Sequence, residues 1–510
     1  MSTATPLSPR RRWAALSVLV GAVLLLAIDS TVLYLAVPSL TRDLAPSGTQ
    51  VLWIGDIYSL ALAGLLVTMG TVADRFGRRR TLLVGATAFG AASAAAAFAP
   101  TAGALIAARL LLGVAGATIM PSTLSIIRDL FVDPVERSRA IAVWAAASGG
   151  GLALGPLVGG VLLERFWWGS VFLINVPVVL AIVVGGLLLL PESRNPAPGR
   201  FDLVSAALSA VTVVPVVYAV KHATTHGLDL TTAGLVALGV LAGLAFVSRQ
   251  RRSPDPTIDV GLFRNPAFTG AVLATLISIF ALTGLLFFFS QYLQLARGMR
   301  PLVAGLAEMP ATLASIAVVV LVGAARRRLG MGRAIAAGLA VASVGLVAVA
   351  VAEAAPGYLW LGLALVPIGL GVGLAMTLAT DAVVSAVPRA RAGAAASVSE
   401  TAYELGVALG IAVLGSVVTL AYRSGLHLPG EITASARATA QDSFAGATGV
   451  LEAGSPAGEA AREAFVGAMQ VASLSAAAIM AVAALAARRT IPSETAPEAA
   501  PVPEPLETRA

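Results

Sequence analysis

The chain has 510 residues, 57% hydrophobic and only 12% charged, with a formal net charge of +7. A soluble domain carries about 25% charged residues, so too little polar sequence is present to build one. There is no cysteine, which excludes disulfides, thiol catalysis and Cys-based metal sites. The basic balance does not indicate nucleic-acid binding, because the arginines fall in short loops between apolar runs.

The apolar runs are about 18–25 residues long and rich in Ala, Leu, Val and Gly, without the alternation of barrel strands. Lipid admits only helices or closed barrels, so the expected class is an all-α membrane protein. In chain order, spans are predicted near 13–37, 51–72, 81–99, 102–126, 138–161, 169–190 and 203–220. They continue near 230–248, 267–290, 302–324, 333–352, 358–380, 395–420 and 464–487, fourteen in all. The first run, Trp13 to Leu40, is about twice the length of a cleavable signal core and reads as a retained span.

An even number of spans puts both termini on one side. With that side cytoplasmic, the inner segments hold about three times as many arginines as the outer ones, a strong orientation signal. Lys221, the only lysine, is assigned to an outer loop by this reading, together with His222 and His226. The two histidines have i, i+4 spacing but no acidic ligand beside them in that reading, so no metal site is expected. Residues 421–463 read as a long outer loop of variable surface character, with a helical hairpin as the alternative. The Pro-, Glu- and Ala-rich tail, 488–510, is expected to be disordered.

Two inner loops repeat weakly. The loop after the second span reads Gly70-Thr-Val-Ala-Asp74-Arg75-Phe-Gly77-Arg78-Arg79-Arg80, and the one after the tenth reads Gly323-Ala-Ala-Arg326-Arg327-Arg328-Leu-Gly330. Two similar halves suit a rocking transporter. The first of these loops resembles the signature of the major facilitator superfamily. Gly151-x-x-x-Gly155-Pro156-x-x-Gly159-Gly160 resembles the antiporter motif of span five, where small residues permit close backbone contact. Trp53-Ile-Gly-Asp56-Ile-Tyr58, Phe172-Leu-Ile-Asn175-Val-Pro177 and Ser399-Glu400-Thr-Ala-Tyr403-Glu404 are similar to the fourteen-span drug:proton antiporters, the QacA-like and LfrA-like multidrug efflux pumps.

That resemblance implies two six-helix bundles, 13–190 and 267–487, with two linker helices over 203–248 between them and a cytoplasmic tail at 1–12. It implies export of lipophilic cations (quaternary ammonium compounds, dyes, some fluoroquinolones) across a bacterial cytoplasmic membrane in exchange for protons. The span-ten acid that serves divalent cations in some members corresponds here to Ser315, with Glu308 two turns earlier, so monovalent cations are the expected cargo.

The residues themselves point the same way. A carboxylate at a helix centre in lipid costs roughly 2.5–3.5 kcal/mol, and such residues commonly mark ion or substrate paths. Asp29, Glu400 and Glu404 lie inside predicted spans, with Asp56 and Asp381 nearer span ends. Burial favours a protonated carboxyl and a nearby cation favours the charged one, so a proton and a cationic drug exclude each other on one group. Asp29 is the first candidate for that exchange. Glu400 and Glu404 stand one turn apart and are not expected to ionise together. Asp381 reads as an inner gate or an interfacial residue, and Arg109, within span four, as a partner for a carboxylate or a structural charge. Tyr58, Tyr403, Phe287, Phe288, Phe289, Tyr292 and Trp144 could stack on a cation.

No nucleotide loop is possible, since Lys221 is followed by His222 rather than Ser or Thr. The drive must then be an ion gradient. No cofactor is expected, and no catalytic constellation or channel filter appears. The expected partners are protons, lipophilic cations and the bilayer, with the chain acting as a monomer. The alternative is an exporter of one endogenous metabolite or antibiotic on the same fold.

Overall fold

A computed structural model describes residues 8–194, 202–253, 256, 258–387, 392–429 and 432–492. Most of the expected tail lies outside them; Arg488 and Arg489 instead complete a helix. Among the described residues every regular element is helical, as a bilayer requires of a chain that must satisfy its backbone internally.

The N-terminal group comprises α1 (Pro9–Leu44), α2 (Gly48–Phe76), α3 (Arg78–Ala97), α4 (Ala102–Leu130), α5 (Pro134–Arg165), α6 (Ser170–Leu173) and α7 (Asn175–Leu189). α1 packs on α5 and α7, α2 on α4, and α3 on α4 and α7. The predicted sixth span is thus interrupted after Ile174, where Pro177 has no N–H to give the residue one turn back. Next come α8 (Leu203–His226) and α9 (Leu230–Arg252), which pair with each other. At their inner ends Arg249 grips Asp202 at 2.9 and 3.0 Å, which holds that carboxyl below its usual range.

The C-terminal group comprises α10 (Pro266–Gln291), α11 (Pro301–Ala317), α12 (Val319–Leu329), α13 (Met331–Ala352), α14 (Leu359–Ser385), α15 (Ala392–Gly425) and α18 (Pro456–Thr490). α13 packs on α14 and α18, and α10 on α14, α15 and α18. The outer segment is not a free surface feature. It folds into α16 (Ala434–Asp442) and α17 (Phe444–Val450), and Phe444 stacks on Phe465 at 4.5 Å.

Among the described residues twelve runs, with α6 and α7 counted as one, are long and apolar enough to cross a bilayer, and a thirteenth is the α11–α12 pair, bent by 50° at Val318. The fourteenth expected segment, α3, opens on three arginines and does not meet that criterion.

The two groups meet through α2–α15, α5–α11 and α1–α10. The packing is close because glycines sit at the contacts: a Cβ on Gly55 would stand 2.8 Å from Phe287, and one on Gly160 2.7 Å from Leu302 Cα. Gly415 faces Leu52 and Phe288, Gly305 faces Pro156, and the Gln294 amide donates to Leu35 O at 3.0 Å. All of these contacts lie toward one end of the helices, the end of the α1–α2 turn. Toward the other end the C-terminal group has an apolar cluster of its own, Phe268, Ile335, Leu339, Leu378 and Val383 among its members, which takes in no residue of the N-terminal group. The two groups therefore meet toward one end, and the apolar cluster toward the other end belongs to the C-terminal group alone.

The glycines of α5 lie against α1 at the level of Asp29. Gly151 faces Ala27, Gly155 faces Thr31 and Gly159 faces Val32. Gly151→Val should overpack this crossing and cost about 1–3 kcal/mol. Gly150, with nothing within 4 Å of its Cβ position, is the control. Thermal unfolding followed by tryptophan fluorescence should show a lowered midpoint for Gly151→Val and a much smaller change for Gly150→Val.

Candidate functional site

Asp29 is fully buried on α1 and has two donors. Asn175 Nδ2 stands 2.6 Å from Oδ1, and Arg109 Nη1 3.3 Å from Oδ2. The Asn175 amide also reaches Ser93 Oγ at 2.8 Å, and that hydroxyl donates to Phe172 O. Arg109 is 1% exposed. Its Nε donates to Ile54 O at 3.2 Å, and its guanidinium carbon lies 4.6 Å from the centre of the Tyr58 ring. One carboxylate therefore draws α1, α2, α4 and α7 together. Arg109 is its salt-bridge partner.

Across the gap, α15 presents Glu404, 8% exposed, and half-buried Glu400. Glu404 has Ser59 of α2 beside it and lies within electrostatic reach of Glu400 and Arg109. Tyr58 is within similar reach of Asp29, Glu404 and Tyr403, and Tyr34 of Arg109, Glu404 and Glu308. Glu308, on α11, is 2% exposed, and its Oε1 has no hydrogen-bond partner among the described residues. The Tyr58 hydroxyl is likewise unpartnered. Asp29, Arg109, Tyr58, Tyr403, Glu400, Glu404 and Glu308 thus converge where the two groups meet. Ser315 is not part of this set; its hydroxyl donates to Thr312 O of its own helix at 2.8 Å.

Two of the predicted acids lie elsewhere. Asp56 is buried rather than interfacial, and faces α8: Lys221 Nζ lies 2.6 Å from Oδ2 and 2.8 Å from Oδ1. Lys221 is therefore no outer-loop residue. α8 runs on to His226, carrying the lysine and both histidines. The lysine's charge does not end the span because Asp56 of α2 neutralises it where the two helices meet. His222 also has an acid beside it after all, Asp229 at 3.1 Å, and stacks on His226 at 4.3 Å. No group of three or more His, Cys, Asp or Glu that could hold a metal occurs among the described residues.

Asp381 lies at the inner end of α14, 2.6 Å from Arg326 of α12. This pair mirrors one in the N-terminal group, where Arg78 meets Asp74 at 2.8 Å and Asp129 of α4 at 2.5 Å. Gly77 has φ 111°, and Glu192 lies beneath it, accepting from the N–H groups of Arg79 and Arg80. Gly70 packs against Pro121, and Arg75 lies over the Phe76 ring. The candidate aromatics differ in use. Phe287 carries Tyr34 edge-on at 5.5 Å and Phe288 at 5.0 Å, whereas Tyr292 donates to Glu353 O and Trp144 to Thr123.

Four participants were not singled out from the sequence. Asn175 appeared only within a motif, and Tyr34 only as part of the first predicted span. Lys221 was read as a loop charge. Glu353 was placed just beyond a span, yet it is 2% exposed with Ser473 Oγ at 3.2 Å from Oε1.

Residues 19–411 match the sequence profile described as the Major Facilitator Superfamily. The chain belongs to that superfamily. It is 45% identical over 446 residues to the "Multidrug efflux pump LfrA" of Mycolicibacterium smegmatis, covering 88% of each chain. It is 35% identical to the "Methyl viologen resistance protein SmvA" of Salmonella typhimurium, covering 92% of this chain and 96% of that one. The "Tetracenomycin C resistance and export protein" of Streptomyces glaucescens is also 35% identical, over 97% and 95% of the two chains. Among solved structures, an inward-facing, unoccupied bacterial homologue of the human lysosomal transporter Spinster superposes with a TM-score of 0.68 at 18% identity, covering 96% and 100%. That last likeness concerns the fold alone.

Breaking a buried ion pair from one side strands the other charge, at about 3–5 kcal/mol, while removing both partners costs far less. Arg109→Met should therefore be markedly less stable than the double variant Asp29→Asn/Arg109→Met. Detergent-solubilised thermal unfolding of the single and double variants checks the order. Equal losses would mean that Asp29 and Arg109 are not coupled.

Proposed function

We propose that the protein is a proton-coupled efflux antiporter that exports lipophilic monovalent cations, such as quaternary ammonium compounds and ethidium, from the cytoplasm. The observation that carries this reading is the Asp29–Arg109 pair, 3.3 Å apart and buried, within electrostatic reach of Glu404 and Tyr58. The names of the relatives LfrA and SmvA support the cargo class.

In the inward-parted state Asp29 keeps Arg109 at its carboxylate, the arrangement expected after a proton has left for the cytoplasm. A lipophilic cation then enters between Glu404 and Glu400 and the rings of Tyr58, Tyr403 and Tyr34, where carboxylate charge and aromatic faces both favour it. Glu308 adds a further acid on the α11 side. In the outward state a proton taken up by Asp29 removes the charge that holds Arg109 Nη1. The freed guanidinium raises the positive potential around Glu404 and expels the cation. One proton exchanged for one monovalent cation moves no net charge, so the pH gradient drives it at about 1.4 kcal/mol per pH unit, and each further proton moving inward down 100 mV adds about 2.3 kcal/mol. The glycine-packed α1–α5 crossing provides the close surface on which such movement turns.

This reading takes the chain as fourteen spans in the bacterial cytoplasmic membrane, counting α3 and the bent α11–α12 pair, with both termini inside. Two six-helix bundles rock about a site reached alternately from each side, and one chain suffices. No enzymatic step is involved. A second reading, export of one endogenous antibiotic or metabolite, has the similarity to the tetracenomycin C export protein in its favour.

Everted vesicles energised by respiration test the first reading. Wild-type vesicles should accumulate ethidium, and Asp29→Asn and Glu404→Gln should each lower the initial rate by at least about tenfold, the scale of a lost charged contact. Undiminished uptake by Asp29→Asn would remove that residue from coupling. Failure of the wild type with every lipophilic cation would favour the second reading.

A further inference from the structure

α8 lies outside both bundles yet touches each across their outer seam. Leu60 of α2, Val217 of α8 and Ala408 and Ala412 of α15 form one small apolar cluster. Each end of this contact is also tied by a charge. On the α2 side Lys221 enters a cage made by Asp56 and by Trp53, whose ring centre is 3.5 Å from Nζ. Both partners of the ion pair are at most 1% exposed. On the α15 side Arg423 donates Nη1 to Thr224 O at 3.2 Å, Nε to Gln441 O and Nη2 to Asp442. The carbonyl it reaches lies on the same helical turn as Lys221.

We infer that Lys221 is a positioning residue: with Arg423 it makes α8 a staple that holds the outer ends of α2 and α15 together, so that the linker pair biases the transporter toward its inward-parted state. This rests on the alternating reading above. The seam that α8 spans is the one where the glycine contacts close the outer side, and parting of α2 from α15 cannot leave both ties intact. The Lys221–Asp56 pair is short, dry and stacked on an indole, and Arg423 holds a carbonyl that helix C-termini leave open. The tie at α15 is therefore the weaker of the two, and α8 should stay with α2 when the seam opens.

The absence of cysteine makes the test direct. Gly103→Cys, in the first turn of α4, and Ala354→Cys, just after α13, place spin labels at the outer ends of the two bundles, both at exposed positions. Pulsed electron–electron resonance in nanodiscs reads their separation without reference to cargo, so it is independent of whether the substrate class is right. The neutral pair Asp56→Asn/Lys221→Met, which strands no buried charge, should raise the long-distance, outward-parted fraction by about threefold or more. Asp56→Glu/Lys221→Arg should retain the wild-type distribution. Arg423→Gln, which leaves the buried pair in place, should shift the distribution in the same direction and serves if the neutral pair does not assemble. Monodisperse variants with unchanged distributions would overturn the inference and leave α8 as packing alone.

Discussion

The organising constraint is the cost of charge in lipid. A lone carboxylate inside the bilayer costs several kcal/mol, and this chain meets that cost by giving its buried acids different surroundings. Asp29 is held by Arg109 and Asn175, and Asp56 by Lys221. Glu308 is buried and makes no ion pair among the described residues, while Glu404 faces the seam between the bundles. A fully compensated carboxylate next to less compensated ones is the arrangement an exchanger of protons for cations needs. Charge gained at one place alters what the others will bind.

The fold serves that arrangement by keeping helices close where they must move. Glycines along α5 let α1 approach within backbone contact beside Asp29, and glycines at the outer seam bring α2 against α15 and α5 against α11. The inner ends are secured differently. Arg78 with Asp74 and Asp129, and Arg326 with Asp381, tie helices within a bundle rather than between bundles. Ion pairs thus tie helices within each bundle at one end, and glycine contacts join the bundles toward the other.

Much of this was legible in the sequence because it depends on local pattern. Apolar run length marked most of the spans, though α3 falls short of the apolarity of a crossing helix. An acid amid an apolar run marked Asp29, and Gly-x-x-x-Gly spacing marked the α1–α5 contact. What was not legible depends on partners distant in sequence. Lys221 looked like the end of a span because its counter-charge, Asp56, lies on another helix 165 positions away. Glu353 looked like loop because the groups around it come from α18 and from Arg297 and Tyr292. The bend at Val318 had no proline at that position to announce it, and the segment after α15 gave no sign of docking, since Asp442 meets the Gly48 N–H across 394 positions. Asn175 was visible only as a motif letter until its amide was seen to hold Asp29.

The central claim is that a proton and a cationic passenger exclude each other in one buried network. The most direct measurement is proton release from the purified protein in weakly buffered detergent solution when a cation is added. Tetraphenylphosphonium and ethidium should each release protons from the wild type, and release should be abolished in the double variant Asp29→Asn/Glu404→Gln, with a dicationic compound less effective. Cation binding by the wild type with no proton released at any pH between 6 and 8 would contradict the account.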